Sequence, residues 1–205
     1  MSDTHGNEIL LDNPHEMGCT GLPHRKIVMW AFLASDCMFF GSLIATYLVY
    51  HGHSQAHPLP QEVFDIPLTS TSTFVLLMSS YLMVLALSAI QRGDLFKFRL
   101  WTLGVAFFGS IFLGFQCYEF THFVKAGLTL KQNLFGSTFF VLTGTHGCHV
   151  AIGVFWLSCL LIYSFFGGVT KERSLDVEIA GLYWHFVDIV WIVIFTAVYL
   201  LEYIL

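Results

Sequence analysis

Residues 134–166 read LFGSTFFVLTGTHGCHVAIGVFWLSCLLIYSFF, without a single Asp, Glu, Lys or Arg. As an α-helix this stretch extends roughly 50 Å at about 1.5 Å per residue. That exceeds the ~30 Å of hydrocarbon a spanning helix must cross, yet two spans of about 20 residues each do not fit. It is therefore one long helix that tilts or protrudes, and the bilayer is its solvent.

The remainder of the chain obeys the same rule. Of 205 residues, 56% are hydrophobic and 11% charged, with 21 Phe, and mean hydropathy is +0.69. Apolar material on that scale exceeds what one water-facing globule of this length hides. Four further runs are long and apolar enough to cross: about 27–50, containing Asp36; 68–90, without a formal charge; 100–119, closed by Glu119; and 181–202, with His185 and Asp188 early. The fold class expected is all-α, a polytopic membrane helix bundle with five transmembrane helices. Residues 1–24 carry Asp3, Glu8, Asp12 and Glu16 and no basic start followed by an apolar run, so they are expected to form a soluble tail and not a signal peptide. Residues 25–205 form a single transmembrane domain, with no internal repeat.

The connection from His51 to Pro67 is broken by Pro58, Pro60 and Pro67. Gly127 marks the connection after the third span, and Gly167 with Gly168 is expected to cap the fourth. Arg25 and Lys26, then Arg92, Lys97 and Arg99, then Lys171 and Arg173 fall on one side of the membrane. Lys125 and Lys131 fall on the other. The positive-inside rule then predicts a cytoplasmic N-terminus and a periplasmic C-terminus.

Polar side chains inside a span cost several kcal/mol by simulation, or roughly 2.5–3.5 for Asp by insertion scales, and are functional candidates by default. Asp36 lies near mid-membrane with no cationic side chain in its own span, and two readings stay open: a hydrogen-bonded structural acid, or a residue affecting proton movement. His146 and His149 share a face at i,i+3, continued by Gly153, and His185 with Asp188 repeats that spacing. Interhelical hydrogen bonding is the plainer role for the three histidines, and a partner in His185 or a neighbouring helix the plainer role for Asp188. Ala31, Ser35, Ser42 and Ala45 form a small-residue seam on the first span, and Trp184, Asp188 and Trp191 a stripe on the last. Both are expected to contact protein. Glu119, followed by His122, is expected to be interfacial and solvated. His51, His53 and His57 have no spacing that fixes a coordination geometry.

Several function classes are disfavoured. Nine scattered Lys and Arg residues, against a net charge of -5, make no nucleic-acid surface. Cys37, Cys117, Cys148 and Cys159 lie in apolar runs and only Cys19 in a polar one, without a CxxC motif or disulfide framework. A di-iron bundle wants about four inward carboxylates with paired Glu-x-x-His motifs, and this chain offers Asp36, Asp188, Glu119 and Glu202 without them. No metal and no catalytic residue is expected on this chain. A small transporter using Asp36, His146 and Asp188 as a polar pathway is the alternative, although broken helices and inverted repeats are missing from the sequence.

Tyr183-Trp-His-Phe-Val-Asp-Ile-Val-Trp191, Gly144-Thr-His-Gly-Cys-His149 with Val150 and Gly153, and Tyr118-Glu-Phe120 together resemble the signatures of subunit III of the haem-copper respiratory oxidases, in its short five-helix bacterial form. The resemblance runs from about Val28 to the C-terminus. Many members carry Glu at the position of Asp36, and Ser35-Asp-Cys-Met38 is more like the quinol-oxidase branch. The resemblance implies an accessory subunit in the bacterial inner membrane that packs directly on subunit I, alongside subunit II and other oxidase subunits. Haems and copper would reside in those partners. It implies a role in proton uptake and active-site durability, with Asp36 and Glu119 as the proton-related candidates and His146, His149, His185 and Asp188 at helix interfaces. It also implies bound phospholipid, for which Trp30, Trp184 and Arg99 are candidate contacts.

Overall fold

A computed structural model of the protein describes residues 23–51, 66–125 and 134–200. The expectations for the N-terminal tail, the loop His53 and His57 with Pro58 and Pro60, Gly127, Lys131 and residues 201–205 lie outside the described residues. So does any account of the His51 side chain.

Five helices cross: α1 (His24–His51), α2 (Ile66–Gln91), α3 (Leu95–Lys125), α4 (Leu134–Phe165) and α5 (Ser174–Ile194), the last continuing through π-helical turns at Phe195–Leu200. Each is long and apolar enough to span a membrane. The third is longer than its apolar run suggests. Lys97 at its start and His122 to Lys125 at its end continue the helix, because an amphipathic side chain near a membrane edge keeps its head in water while its stem lies on apolar surface.

Glycine terminates two of the helices. At the end of α2, Gly93 takes φ +81°, its N–H donates to Ile90 O and the Asp94 N–H to Ala89 O. At the end of α4, Gly167 takes φ +74°, its N–H donates to Ser164 O and the Gly168 N–H to Tyr163 O. Both pairs are Schellman closures, in which a residue without Cβ adopts the left-handed conformation and the final carbonyls are satisfied. Asp94 then starts α3 by accepting the Lys97 N–H at 3.1 Å while its carboxylate pairs with Lys97 Nζ at 2.8 Å. These bonds from Lys97 hold the Asp94 carboxyl below the usual carboxylate range.

The α2–α3 hairpin packs along its length, α3 on α4, and α5 against α1, α2 and α4. Half of the most apolar window of the last span is buried, against 22% for that of α1. Trp184 and Trp191 fill the centre, each under 3% exposed. Space for Trp184 exists because Gly109 on α3 and Gly153 on α4 lack side chains: a Cβ at either would sit within 2.9 Å of the indole. The periphery is α1, which buries one stripe, Met29, Leu33, Asp36, Phe40 and Tyr47, and exposes the rest to lipid or to another chain. The small-residue seam Ala31, Ser35, Ser42 and Ala45 falls on that exposed side, so within this chain it makes no helix interface.

Candidate functional site

The polar groups form a seam through the bundle, most of it built by α4 and α5. Asp36 on α1 is 7% exposed, and its Oδ1 lies 3.4 Å from His149 Nε2 on α4, long for a hydrogen bond but a close contact of acid and base. His149 Nδ1 lies 2.8 Å from the Thr145 carbonyl. A carbonyl only accepts, so Nδ1 carries a proton. The α4 backbone at His149 also accepts from Tyr183 Oη at 3.0 Å, and Phe40 meets the imidazole edge-on at 5.0 Å. The basic side chain missing from the helix of Asp36 is supplied by α4.

His146, one turn earlier, differs. It is fully enclosed, stacked on Trp191 at 4.9 Å with Phe112 edge-on at 6.0 Å, and neither ring nitrogen has a hydrogen-bond partner among the described residues. Stacking, and not the expected hydrogen bond, joins α4 to α5 there. Gln116 on α3 approaches α4 nearby, donating to Thr143 O at 2.7 Å.

Asp188 was expected to find its partner in His185 or a neighbouring helix. Ser80 Oγ of α2 lies 2.6 Å from His185 Nδ1 and beside the Asp188 carboxyl group, whose Oδ1 is enclosed without a hydrogen-bond partner among the described residues. Trp184 Nε1 donates to Ser79 Oγ at 3.1 Å and Trp191 Nε1 to Thr73 Oγ1 at 2.9 Å. The α2 hydroxyls are the functional residues that counting charges misses. Their signal is present in the sequence: Ser72 and Ser79, and Thr73 and Ser80, recur at seven-residue spacing, which keeps them on one side of a helix.

Glu119 corrects an expectation. It is 7% exposed and not solvated: Thr69 Oγ1 donates to Oε1 at 2.8 Å and Tyr199 Oη to Oε2 at 3.3 Å. The extension of α3 to Lys125 places it within the helix, where the carboxylate ties α2, α3 and the π-helical end of α5. Of the lipid candidates, Trp30 is 55% exposed. Trp184 is sealed in the core, which leaves it no lipid-facing surface. Arg99 is held by the end of α4: Nε donates to Ser164 Oγ at 2.9 Å, a terminal nitrogen donates to Ser164 O, and the guanidinium lies 4.6 Å over the Phe165 ring. A cation there also complements the helix C-terminus.

At one membrane edge Arg25 pairs with Asp176 at 2.9 Å and Lys26 with Glu178, tying the starts of α1 and α5. Beside them an open groove of about 680 Å³ is walled by Val28, Met29, Phe32, Trp156 and Leu160. Among the described residues no three His, Cys, Asp or Glu side chains converge on a common point.

The family described as cytochrome c oxidase subunit III matches residues 20–203. A protein of Bacillus subtilis called quinol oxidase subunit 3 is 41% identical over 172 residues, 84% of each chain. A probable quinol oxidase subunit 3 of Staphylococcus saprophyticus is 40% identical over 178 residues, covering 86% of this chain and 89% of its own. Five apolar helices, the sealed Trp184–Asp188–Trp191 stripe and a family match over nearly the whole length agree, and the chain belongs to the cytochrome c oxidase subunit III family.

Proposed function

We propose that the chain is the accessory third subunit of a bacterial haem-copper terminal oxidase, supporting assembly of subunit I, holding phospholipid, and assisting proton uptake and active-site durability, with haems and copper held by its partners. The observation that carries the finer part of this reading is the Asp36–His149 pair. Two titratable groups 3.4 Å apart join α1 to α4, with Asp36 near the middle of α1. A carboxyl and an imidazole in contact can pass a proton between them without adding net charge to the hydrocarbon, so the pair suits a role in ordering helices and protons at the edge of the bundle.

The groove beside Arg25 supports phospholipid binding: apolar and aromatic walls suit acyl chains, and a cation at the mouth suits an anionic head group. The relatives called quinol oxidase subunit 3 favour quinol as the electron donor of the complex. Basic residues at the start of α1, the α2–α3 turn and the α4–α5 connection support a cytoplasmic N-terminus and a periplasmic C-terminus in the inner membrane. Cysteines introduced in the 54–61 segment should then react with a periplasmic reagent, and one at Gly93 should not.

Purification in mild detergent tests the assignment. The chain is expected to travel with a haem-bearing partner, and the separated chain to contain no stoichiometric metal. A haem-free homo-oligomer would point to a transporter, and one tightly bound metal per chain to a metalloenzyme.

A further inference from the structure

Along the α2–α5 face an apolar outward surface surrounds one imidazole. On α5, Leu182, Phe186, Ile189, Ile192 and Val193 form a continuous outward stripe, with Ile189 59% exposed. On α2, Leu77, Tyr81 and Val84 continue it. In the middle of this surface sits His185, partly exposed. Its Nδ1 is engaged by Ser80, which lies about half way along α2. Its Nε2 has no hydrogen bond among the described residues and is not among the enclosed polar atoms, so it opens onto the apolar face. Tyr81, one residue on from Ser80 and 57% exposed, adds a phenol to the same side.

Hydrocarbon offers such atoms nothing. A polar group left unpaired there costs free energy, and an intramembrane histidine faces protein or a water-filled cavity and not lipid. The internal half of the arrangement is already built: Ser80 Oγ holds His185 Nδ1 at 2.6 Å, which orients the ring so that Nε2 points away from the bundle core. A side chain oriented by its own helix pair toward an apolar surface has the form of half an interhelical contact. Elsewhere the exposed α1 hydroxyls Ser35, Ser42 and Thr46 bond their own backbone and ask for no partner.

We propose that the α2–α5 face docks a transmembrane helix of another oxidase subunit, which places a hydrogen-bonding side chain against His185 Nε2 at mid-membrane depth. This deepens the accessory-subunit reading and rests on it: the occupant is a helix of the complex, held by apolar packing along Ile189 and Val84 and registered by one polar contact. The hydrogen bond sets depth and rotation, while the apolar stripe supplies most of the buried area. Lipid alone, or a second copy of this chain, are the other occupants the test must separate.

The test uses the assembled oxidase in its native membrane. A photo-crosslinking amino acid is placed at Ile189, at Val84, or at the equally exposed Phe107 on α3, and products are identified by mass spectrometry. Separately, His185→Leu and His185→Gln are compared for the amount of this chain retained per haem after detergent purification, with the chain's level in unextracted membranes checked first. The expected result is a crosslink from Ile189 and Val84 to another oxidase subunit, together with a roughly three- to tenfold loss of retention in the Leu variant, the size of one interhelical contact, and recovery in the Gln variant. If Leu prevents accumulation of the chain, the crosslinks on the wild-type background decide alone. Crosslinks from Ile189 and Val84 to lipid only, to a second copy, or no more to oxidase subunits than from Phe107 would overturn the docking face. Absence of any haem-bearing partner would instead overturn the oxidase assignment, so the two failures are distinguishable.

Discussion

Each of two helices in this bundle carries an aspartate, and their surroundings could hardly differ more. Around Asp188 on α5, α2 supplies hydroxyls and α5 itself two indoles, and the nearby glycines on α3 and α4 are shaped to Trp184. Around Asp36 on α1, one stripe of side chains faces α4 and α5, and one histidine meets the carboxyl. Each carboxyl keeps one enclosed oxygen without a hydrogen-bond partner among the described residues, so the difference lies in the packing around them. The surroundings are dense at α5 and sparse at α1, and a change of shape costs more where side chains interdigitate closely.

The comparison breaks most sharply at the glycines. Gly109→Val puts a branched side chain where even a Cβ would lie 2.7 Å from Trp184 and Val154, and overpacking of this kind costs about 3 kcal/mol. The chain should be lost from purified complex. On α1, Gly41 has no atom within 4 Å of the corresponding position, so Gly41→Ala should leave the thermal midpoint of the purified chain in detergent unchanged or raised, helix propensity favouring Ala by about 0.8–1.0 kcal/mol. Equal damage from both would mean that α1 is packed as tightly as α5.

Next come the acids themselves. Asp188→Leu puts an apolar side chain against the α2 hydroxyls and should impair assembly, by about 1–3 kcal/mol for a polar neighbour left unsatisfied. Normal assembly with Leu there would show that the α2–α5 hydroxyl seam is dispensable. At the other end of the seam, Glu119→Gln keeps the shape and an acceptor for Thr69 and should cost about 1 kcal/mol less than Glu119→Ala, read as retention per haem.

Small effects are expected at the membrane edges. Arg25→Ala breaks an exposed pair with Asp176 and should change stability by under about 1 kcal/mol. Asp94 gives the pH counterpart. Its folded carboxyl is held low by Lys97, so its contribution is complete above the ordinary carboxylate value of about 3.9 and fades as pH falls through the lower folded value. Between pH 6 and 8 the α2–α3 turn should show no pH dependence from this source, measured as the thermal midpoint of wild type against Asp94→Asn.

The five spans were legible because hydrophobic length is a coarse quantity that neighbours scarcely alter: the apolar run from 134 is α4 almost residue for residue. The glycine stop at Gly167 was legible too, since positive φ selects glycine. Helix ends at Glu119 were misjudged, because a charge was read as the end of a span when buried hydroxyls from α2 and α5 satisfy it. Partners were the least legible. His185 and Asp188 share a face by spacing, yet the Ser80 that hydrogen-bonds His185 lies 105 positions from it. Helical periodicity within one segment cannot carry that information. His146 shows the same limit from the other side, being held by an aromatic stack that a list of donors and acceptors does not anticipate.

The account rests most heavily on Asp36 being responsive and not essential to the chemistry. The direct measurement is the haem spectrum, initial oxygen-consumption rate and activity decay of the complex with Asp36→Asn beside wild type and Asp36→Leu. Asn keeps the shape and a hydrogen-bonding group for His149 but removes the titratable carboxyl. It should assemble with an unchanged haem spectrum and initial rate, and lose activity somewhat faster over many turnovers, while Leu assembles less well. Immediate loss of oxygen reduction in a fully assembled Asn complex would contradict the accessory role of this residue.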